Sequence, residues 1–118
     1  MFLITDDIMD GSFTRRGQPC WYKLEDVGLI ALNDSLMIEN SIYHILKKHF
    51  GGTSYYVNLL ELFHEIIFIT SVGQSMDVNT ANKDVVSFTM DKYEAIVANK
   101  TSYYTFYLPF ALAMHMAG

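Results

Sequence analysis

Five charged side chains crowd the start of the chain: Asp6, Asp7 and Asp10, then Arg15 and Arg16, within "DDIMDGSFTRRG". Asp6 and Asp10 are four residues apart, so on a helix they share one face. Two carboxylates so placed repel each other, which destabilises the segment unless a cation lies between them. Hard oxygen donors that fill only part of a coordination shell suit Mg²⁺, which keeps waters and takes its remaining ligands from a phosphate. The arginines fit the same ligand, because their planar forks match phosphate oxygens. Metal and arginine on one diphosphate would stabilise it as a leaving group. The plainer alternative is a solvated acidic helix end followed by a basic loop.

Composition narrows what could surround such a site. A chain of 118 residues suits a single domain. It is 51% apolar and 14% aromatic, which argues against disorder. Eight basic residues against thirteen acidic ones leave no broad basic face for nucleic acid. Cys20 is the only cysteine, so there is no disulfide framework and no cysteine-based zinc site. A reducing compartment, the cytoplasm, is expected. "MFLIT" is too short for a signal sequence and runs straight into acid. The apolar stretch 103–117 is broken by Pro109 and His115 and is too short to span a bilayer. A soluble protein without a membrane span is expected.

The elements that must position the charges read as helices. Residues 28–50 carry Leu29, Leu32, Leu36, Ile42, Ile45 and Leu46 near a 3.6 period. Lys47, Lys48 and His49 suit its last turn, and Gly51 and Gly52 stop it. Thr53 or Ser54 is expected to cap the next helix, residues 55–78. That helix is apolar on most of its surface, which predicts burial on nearly all sides. Residues 79–84 form a polar connection, 85–99 an amphipathic segment, and 100–117 an apolar, aromatic one bent at Pro109. No run alternates with period 2, so no sheet is expected. Three or four helices barely surround a central one, so the pattern points to part of a larger bundle.

The chain resembles the trans-prenyltransferases, specifically the farnesyl diphosphate synthases of the eukaryotic type. "FLITDDIMDGSFTRRGQPCWY" is similar to that family's first aspartate-rich motif. "YYVNLLELFHEIIFITSVGQSMD" resembles its helix with a G-Q-x-x-D motif, and "YEAIVANKTSYYTFYLPFALAMHMAG" its helix with a K-T motif and a Y-x-x-F-Y-L-P run. The resemblance covers essentially the whole chain, in order. It implies an all-α fold, part of the large antiparallel bundle of the isoprenoid synthases. It also implies Mg²⁺-dependent, head-to-tail joining of an allylic diphosphate, dimethylallyl or geranyl, to isopentenyl diphosphate, in a homodimer.

By that resemblance Asp6 and Asp10 are metal ligands with Asp7 in support. Arg15 holds the allylic diphosphate and Arg16 isopentenyl diphosphate. Lys100 and Thr101 stand near the allylic C1 and its diphosphate, where the carbocation forms. Gln74, Asp77 and Tyr104 line the same cavity, and the aromatic side chains Tyr103, Phe106, Tyr107 and Phe110 help to exclude water. Product length in the family is set one helical turn before the aspartates. Phe2 stands four residues before Asp6, as in farnesyl synthases; Met1 stands five before, where they usually have Phe, and this leaves product length open.

The upstream helices that grip isopentenyl diphosphate and the second aspartate-rich motif have no counterpart in this sequence. The reading is therefore a single partial domain over residues 1–118, a central fragment expected to be inactive in isolation. Other readings stand beside it: a geranyl diphosphate synthase, a terpene-synthase-like relative, or a non-catalytic form that binds a full-length subunit. The remaining features take ordinary roles. His64-Glu65 begins a zinc-protease motif, but Phe68 stands where the second ligand would be. His44, His49 and His115 share no metal spacing. Asn33-Asp34-Ser35 and Asn99-Lys100-Thr101 are coincidental glycosylation sequons. Cys20 and Trp21 pack a loop, and Gly73 allows the close approach of a helix or ligand.

Helices that expect partners expose apolar faces, which favours association. Thermal unfolding of the isolated chain is therefore expected to be broad and poorly cooperative, followed by circular dichroism; a sharp two-state transition at micromolar concentration would contradict this.

Overall fold

A computed structural model describes residues 1–82 and 88–118. The expected polar connection and the start of the amphipathic segment fall partly on residues 83–87, outside the described residues. The chain divides into two compact units, Met1–Lys48 and His49–Gly118.

In the first unit, α1 (Phe2–Met9) leads into a two-stranded antiparallel ribbon, β1 (Thr14–Arg15) and β2 (Gln18–Pro19). This corrects the expectation of no sheet. Each strand has only two residues, too few for an alternating pattern to show. The ribbon is made by its turn. Arg16 (φ 52°) and Gly17 (φ 78°) are both left-handed, as a tight two-residue hairpin loop requires. A short 3₁₀ turn, Trp21–Lys23, follows, and then α2 (Ile30–Phe50). The last helix starts two residues later than expected because Gly28 is left-handed at φ 53°. Its buried residues in the first unit are Ala31, Ser35 and Leu46, whereas Leu29, Leu32, Leu36 and Ile45 are exposed.

The second unit is built on α3 (Tyr56–Ala81). Thr53 does not cap it. Its hydroxyl donates to the Phe50 carbonyl at 2.7 Å, so it closes the end of the preceding helix instead. The helix buries one stripe, Leu59, Leu62, Ile66, Thr70 and Gly73, at three- and four-residue steps. Phe68, Val57 and Val72 are exposed, so the expectation of burial on nearly all sides is not met within this chain. What α3 packs against is a single helical run with three parts: α4 (Met90–Val97), a π-helical stretch (Ala98–Tyr107) and α5 (Leu108–Ala117).

Thr89 caps α4 by accepting from the Lys92 N–H at 3.3 Å. The predicted break at Lys100 is absent, because the backbone widens into π geometry there. Ser102 marks the change by donating to the Val97 carbonyl five residues back, at 3.2 Å. Pro109 sits in the first turn of α5, where a missing N–H is least harmful. The fold is thus all-α apart from the short ribbon.

The close approach expected at Gly73 is that of a helix. A Cβ there would lie 2.3 Å from the Lys100 nitrogen and 2.7 Å from its Cα. Backbone cannot yield as a flexible side chain can, so Gly73→Ala must push α3 and the π-helical stretch apart. Overpacking of this kind destabilises by about 1–3 kcal/mol, and amide-exchange protection across Ala98–Tyr107 is expected to fall by about tenfold. Unchanged protection would show that the crossing relaxes freely.

Candidate functional site

The aspartates of the first unit stand at the C-terminal end of α1. Asp6 and Asp7 lie in its last turns, and Asp10 caps it, donating its N–H to the Asp6 carbonyl at 2.9 Å. This is the unfavourable end for carboxylates, because unpaired carbonyls already make it negative. No basic residue lies in the last turn. The compensating charge comes from the ribbon. Arg15 Nε donates to both oxygens of Asp7, at 2.9 Å each, and its Nη2 donates to Asp6 Oδ2 at 2.8 Å. Asp7 is 4% exposed. The Arg15 guanidinium holds the Asp7 carboxyl below its ordinary range, against the opposing effect of burial. Cys20 is buried, and its burial raises the pKa of the thiol, which stays protonated.

The two adjacent arginines thus part company. Arg15 faces the carboxylates, while Arg16 is exposed at the ribbon's turn. Asp10 is exposed as well. Around them, Tyr22 Oη donates to the Ser12 carbonyl at 2.8 Å, and the Lys23 ammonium lies 4.3 Å from the centre of the Phe13 ring. Trp21 Nε1 donates to Asp34 Oδ2 at 2.7 Å, tying the 3₁₀ turn to α2. Met1 and Phe2 are half-buried, and the Met1 carbonyl accepts from Ser35.

Among the described residues no group of three or more His, Cys, Asp or Glu side chains is arranged to hold a metal by itself. The donor set nevertheless fits a metal that shares its shell with a ligand. Both Asp7 oxygens are committed to Arg15. Asp6 meets Arg15 through Oδ2, and Asp6 and Asp10 present hard carboxylates one turn apart. Mg²⁺ is held in this manner, by one or two carboxylates with phosphate and water completing the octahedron.

The second unit brings together Lys100 and Asp77, whose side chains form an ion pair and hydrogen bond between the π-helical stretch and α3. Gln74 lies one turn before Asp77. Its Nε2 is buried and finds no hydrogen-bond partner among the described residues. The same is true of Thr70 Oγ1, a residue the sequence reading passed over. Its only signal was a hydroxyl inside "IIFITSVGQ", four residues before Gln74. Buried orphan polar atoms are uncommon and mark places where a ligand or water belongs. Thr101 is exposed and Tyr104 half-buried. Tyr103 and Tyr107 meet edge to face at 5.8 Å, and with Phe106 and Phe110 they line an open apolar groove. Phe106, Tyr107 and Phe110 are exposed within this chain.

The sequence profile of the family described as polyprenyl synthetase matches residues 1–118. The chain belongs to the polyprenyl synthetase family. Within that family it is similar to the farnesyl pyrophosphate synthase of Schizosaccharomyces pombe, 57% identical over 120 residues, which are 99% of this chain and 35% of the relative. The Saccharomyces cerevisiae farnesyl pyrophosphate synthase is 55% identical over the same share of this chain and 34% of its own length. Among solved structures, a T. brucei farnesyl diphosphate synthase complexed with homorisedronate superposes with a TM-score of 0.86 at 36% identity, covering 98% of this chain and 37% of that one. The polyprenyl synthetase chain described here therefore spans about a third of the length of the relatives it matches. It shares their helical fold, as the motif resemblance implied.

Arg16 supplies a clean experiment on this polyprenyl synthetase, because its backbone and side chain make opposite demands. A left-handed conformation disfavours arginine by about 1–2 kcal/mol and suits asparagine far better. Arg16→Asn is expected to tighten the ribbon, slowing exchange of the Cys20 amide bonded to the Phe13 carbonyl by about fivefold. Faster exchange would show that the arginine side chain itself holds the turn.

Proposed function

We propose that this chain carries the first aspartate-rich half of a farnesyl diphosphate synthase site, which joins isopentenyl diphosphate head to tail to dimethylallyl or geranyl diphosphate. The observation that carries the reading is the Arg15 fork laid across Asp6 and Asp7 at a helix end, beside Asp10, in a chain that matches the family from end to end. Asp6 and Asp10 are the residues that would hold Mg²⁺, which when bound takes up negative charge on a departing diphosphate. Arg15 and Arg16 bind diphosphate oxygens, and Arg15 arrives at that task already oriented. Scission of the allylic C–O bond leaves its electron pair on the diphosphate and a carbocation at C1. The isopentenyl double bond supplies the electrons of the new C–C bond, and a proton is lost, with diphosphate as its acceptor.

The second unit contributes Lys100 and Thr101 to the stage at which the cation exists. Asp77 fixes the Lys100 ammonium, and Gln74 and Tyr104 supply further polar groups. Met1 and Phe2 bear on product length. α3 is long and apolar enough to cross a bilayer by length and composition. We read it instead as the core helix of a larger single-domain bundle, in a cytoplasmic homodimer without a membrane span. The alternation of polar orphans, a glycine crossing and an ion pair along one side of α3 supports packing within protein.

The test is a chimera in which residues 1–118 replace the aligned third of the S. pombe enzyme. It is expected to form farnesyl diphosphate from isopentenyl and geranyl diphosphates in Mg²⁺. Asp6→Asn and Asp10→Asn in the chimera are each expected to lower kcat by about a hundredfold or more. A folded chimera without activity overturns the proposal. A geranyl product from dimethylallyl diphosphate, with no farnesyl product, moves the assignment to a geranyl synthase.

A further inference from the structure

We propose that Asp7 is a positioning residue for Arg15, and that this buried clasp aims the remaining N–H groups of the guanidinium at the diphosphate. The inference rests on the reading of Arg15 as a diphosphate-binding residue.

Arginine has five N–H donors in a rigid fork. Nε is spent on both oxygens of Asp7, and Nη2 lies 2.8 Å from Asp7 Oδ1 and 2.8 Å from Asp6 Oδ2. That occupies the Nε and Nη2 donors. No contact among the described residues engages Nη1, so two N–H groups remain directed away from Asp7. A guanidinium gripped along one edge by a buried carboxylate has its plane set before any ligand arrives. Such preorganisation lessens the entropy lost on binding.

The ribbon explains how Arg15 reaches this carboxylate. Arg15 lies on β1, paired with Gln18 across the turn. Cys20 follows β2, and its N–H bond to the Phe13 carbonyl at 3.0 Å closes the ribbon. Asp7 is tied in turn through its own carbonyl, which accepts from the Ser12 N–H at 2.9 Å. Asp7 is buried against Arg15, while Asp10 is exposed.

The test uses the 118-residue chain with ¹⁵N-labelled arginine, read by NMR, beside a titration with inorganic diphosphate in Mg²⁺. Wild type is expected to show a slowly exchanging Arg15 Nε–H. In Asp7→Asn that signal is expected to exchange as in a free arginine, and diphosphate binding to weaken about tenfold. Mn²⁺ affinity, read by EPR, is expected to change by less than about twofold. If Asp7→Asn loses its helical circular dichroism, Asp7→Glu is read in its place; it keeps the charge and displaces it by one methylene.

A protected Nε–H in the Asp7 variant overturns the clasp. Lost protection with unchanged diphosphate affinity makes the pair a mere staple of the ribbon, which overturns the positioning role. Lost Mn²⁺ binding in a folded Asp7 variant makes Asp7 a metal ligand and overturns the assignment as well. If wild type binds no diphosphate, the positioning role is overturned, and the proposed function is still judged on the chimera.

Discussion

A carboxylate is buried at the negative end of a helix, and the first unit is organised around that fact. Asp7 is nearly inaccessible, in the last turns of α1, where the helix offers it no N–H donors and its dipole repels it. An unpaired charge in such a place is strongly destabilising. Arg15 resolves it by meeting both oxygens. For an arginine eight residues downstream to return to that spot, the chain must reverse direction quickly. Gly11, Arg16 and Gly17 all adopt positive φ, and the ribbon is the result. Its strands are too short to be stable alone, so the ion pair and the ribbon depend on each other.

The second unit solves a different problem by a related means. Two helices that cross with backbone in contact need a residue without a side chain at the crossing, and Gly73 provides it. The price of such closeness is that polar backbone and side chains share a confined space. One turn along α3, Asp77 meets Lys100, so the charge on each is compensated where the helices meet. Between the glycine and the aspartate, Gln74 keeps a buried nitrogen without a partner. Polar, constrained and incompletely satisfied positions of this kind are where consistency between sequence and fold gives way to function.

Much of this was legible in residue types and spacing, and the failures are instructive. The aspartates and arginines announced themselves, since charge is visible in a sequence and so is a four-residue step. What the spacing left undetermined was the helix polarity, and hence that Asp7 would be the buried member and Arg15 its partner. Residues 28–50 were readable as a helix from period and 55–78 from a long apolar run, whereas the helical run from Met90 to Ala117 was expected as two segments that meet at Lys100. The ribbon was not, because two-residue strands leave no period to detect and Arg16-Gly17 is a weak turn signal. Thr53 looked like a cap for the helix after it and served the helix before it; a hydroxyl beside two helix ends does not reveal which it satisfies. The apolar surface of α3 called for neighbours, yet burial is a property of those neighbours, and Phe68, Leu29 and Leu36 are exposed. The π-helical stretch left no mark in the pattern of residues, since it is an alternative way to wind the same backbone.

That stretch has a bearing on how the last helical run can vary. An α-helix turns about 100° per residue, so the azimuth of any side chain follows from counting. Ten residues wound more loosely, Ala98–Tyr107, break that count between α4 and α5. They act as a phase shifter. Removing one residue there, with the remainder rewinding to ordinary α geometry, would swing α5 by roughly a quarter-turn and carry Phe110 and Met114 to a new side of the rod. Equal-length substitution leaves the azimuths alone, whereas a one-residue indel resets them. The run from Met90 to Ala117 is therefore more sensitive to a one-residue change in length than to equal-length substitution away from Lys100, Thr101 and Tyr104.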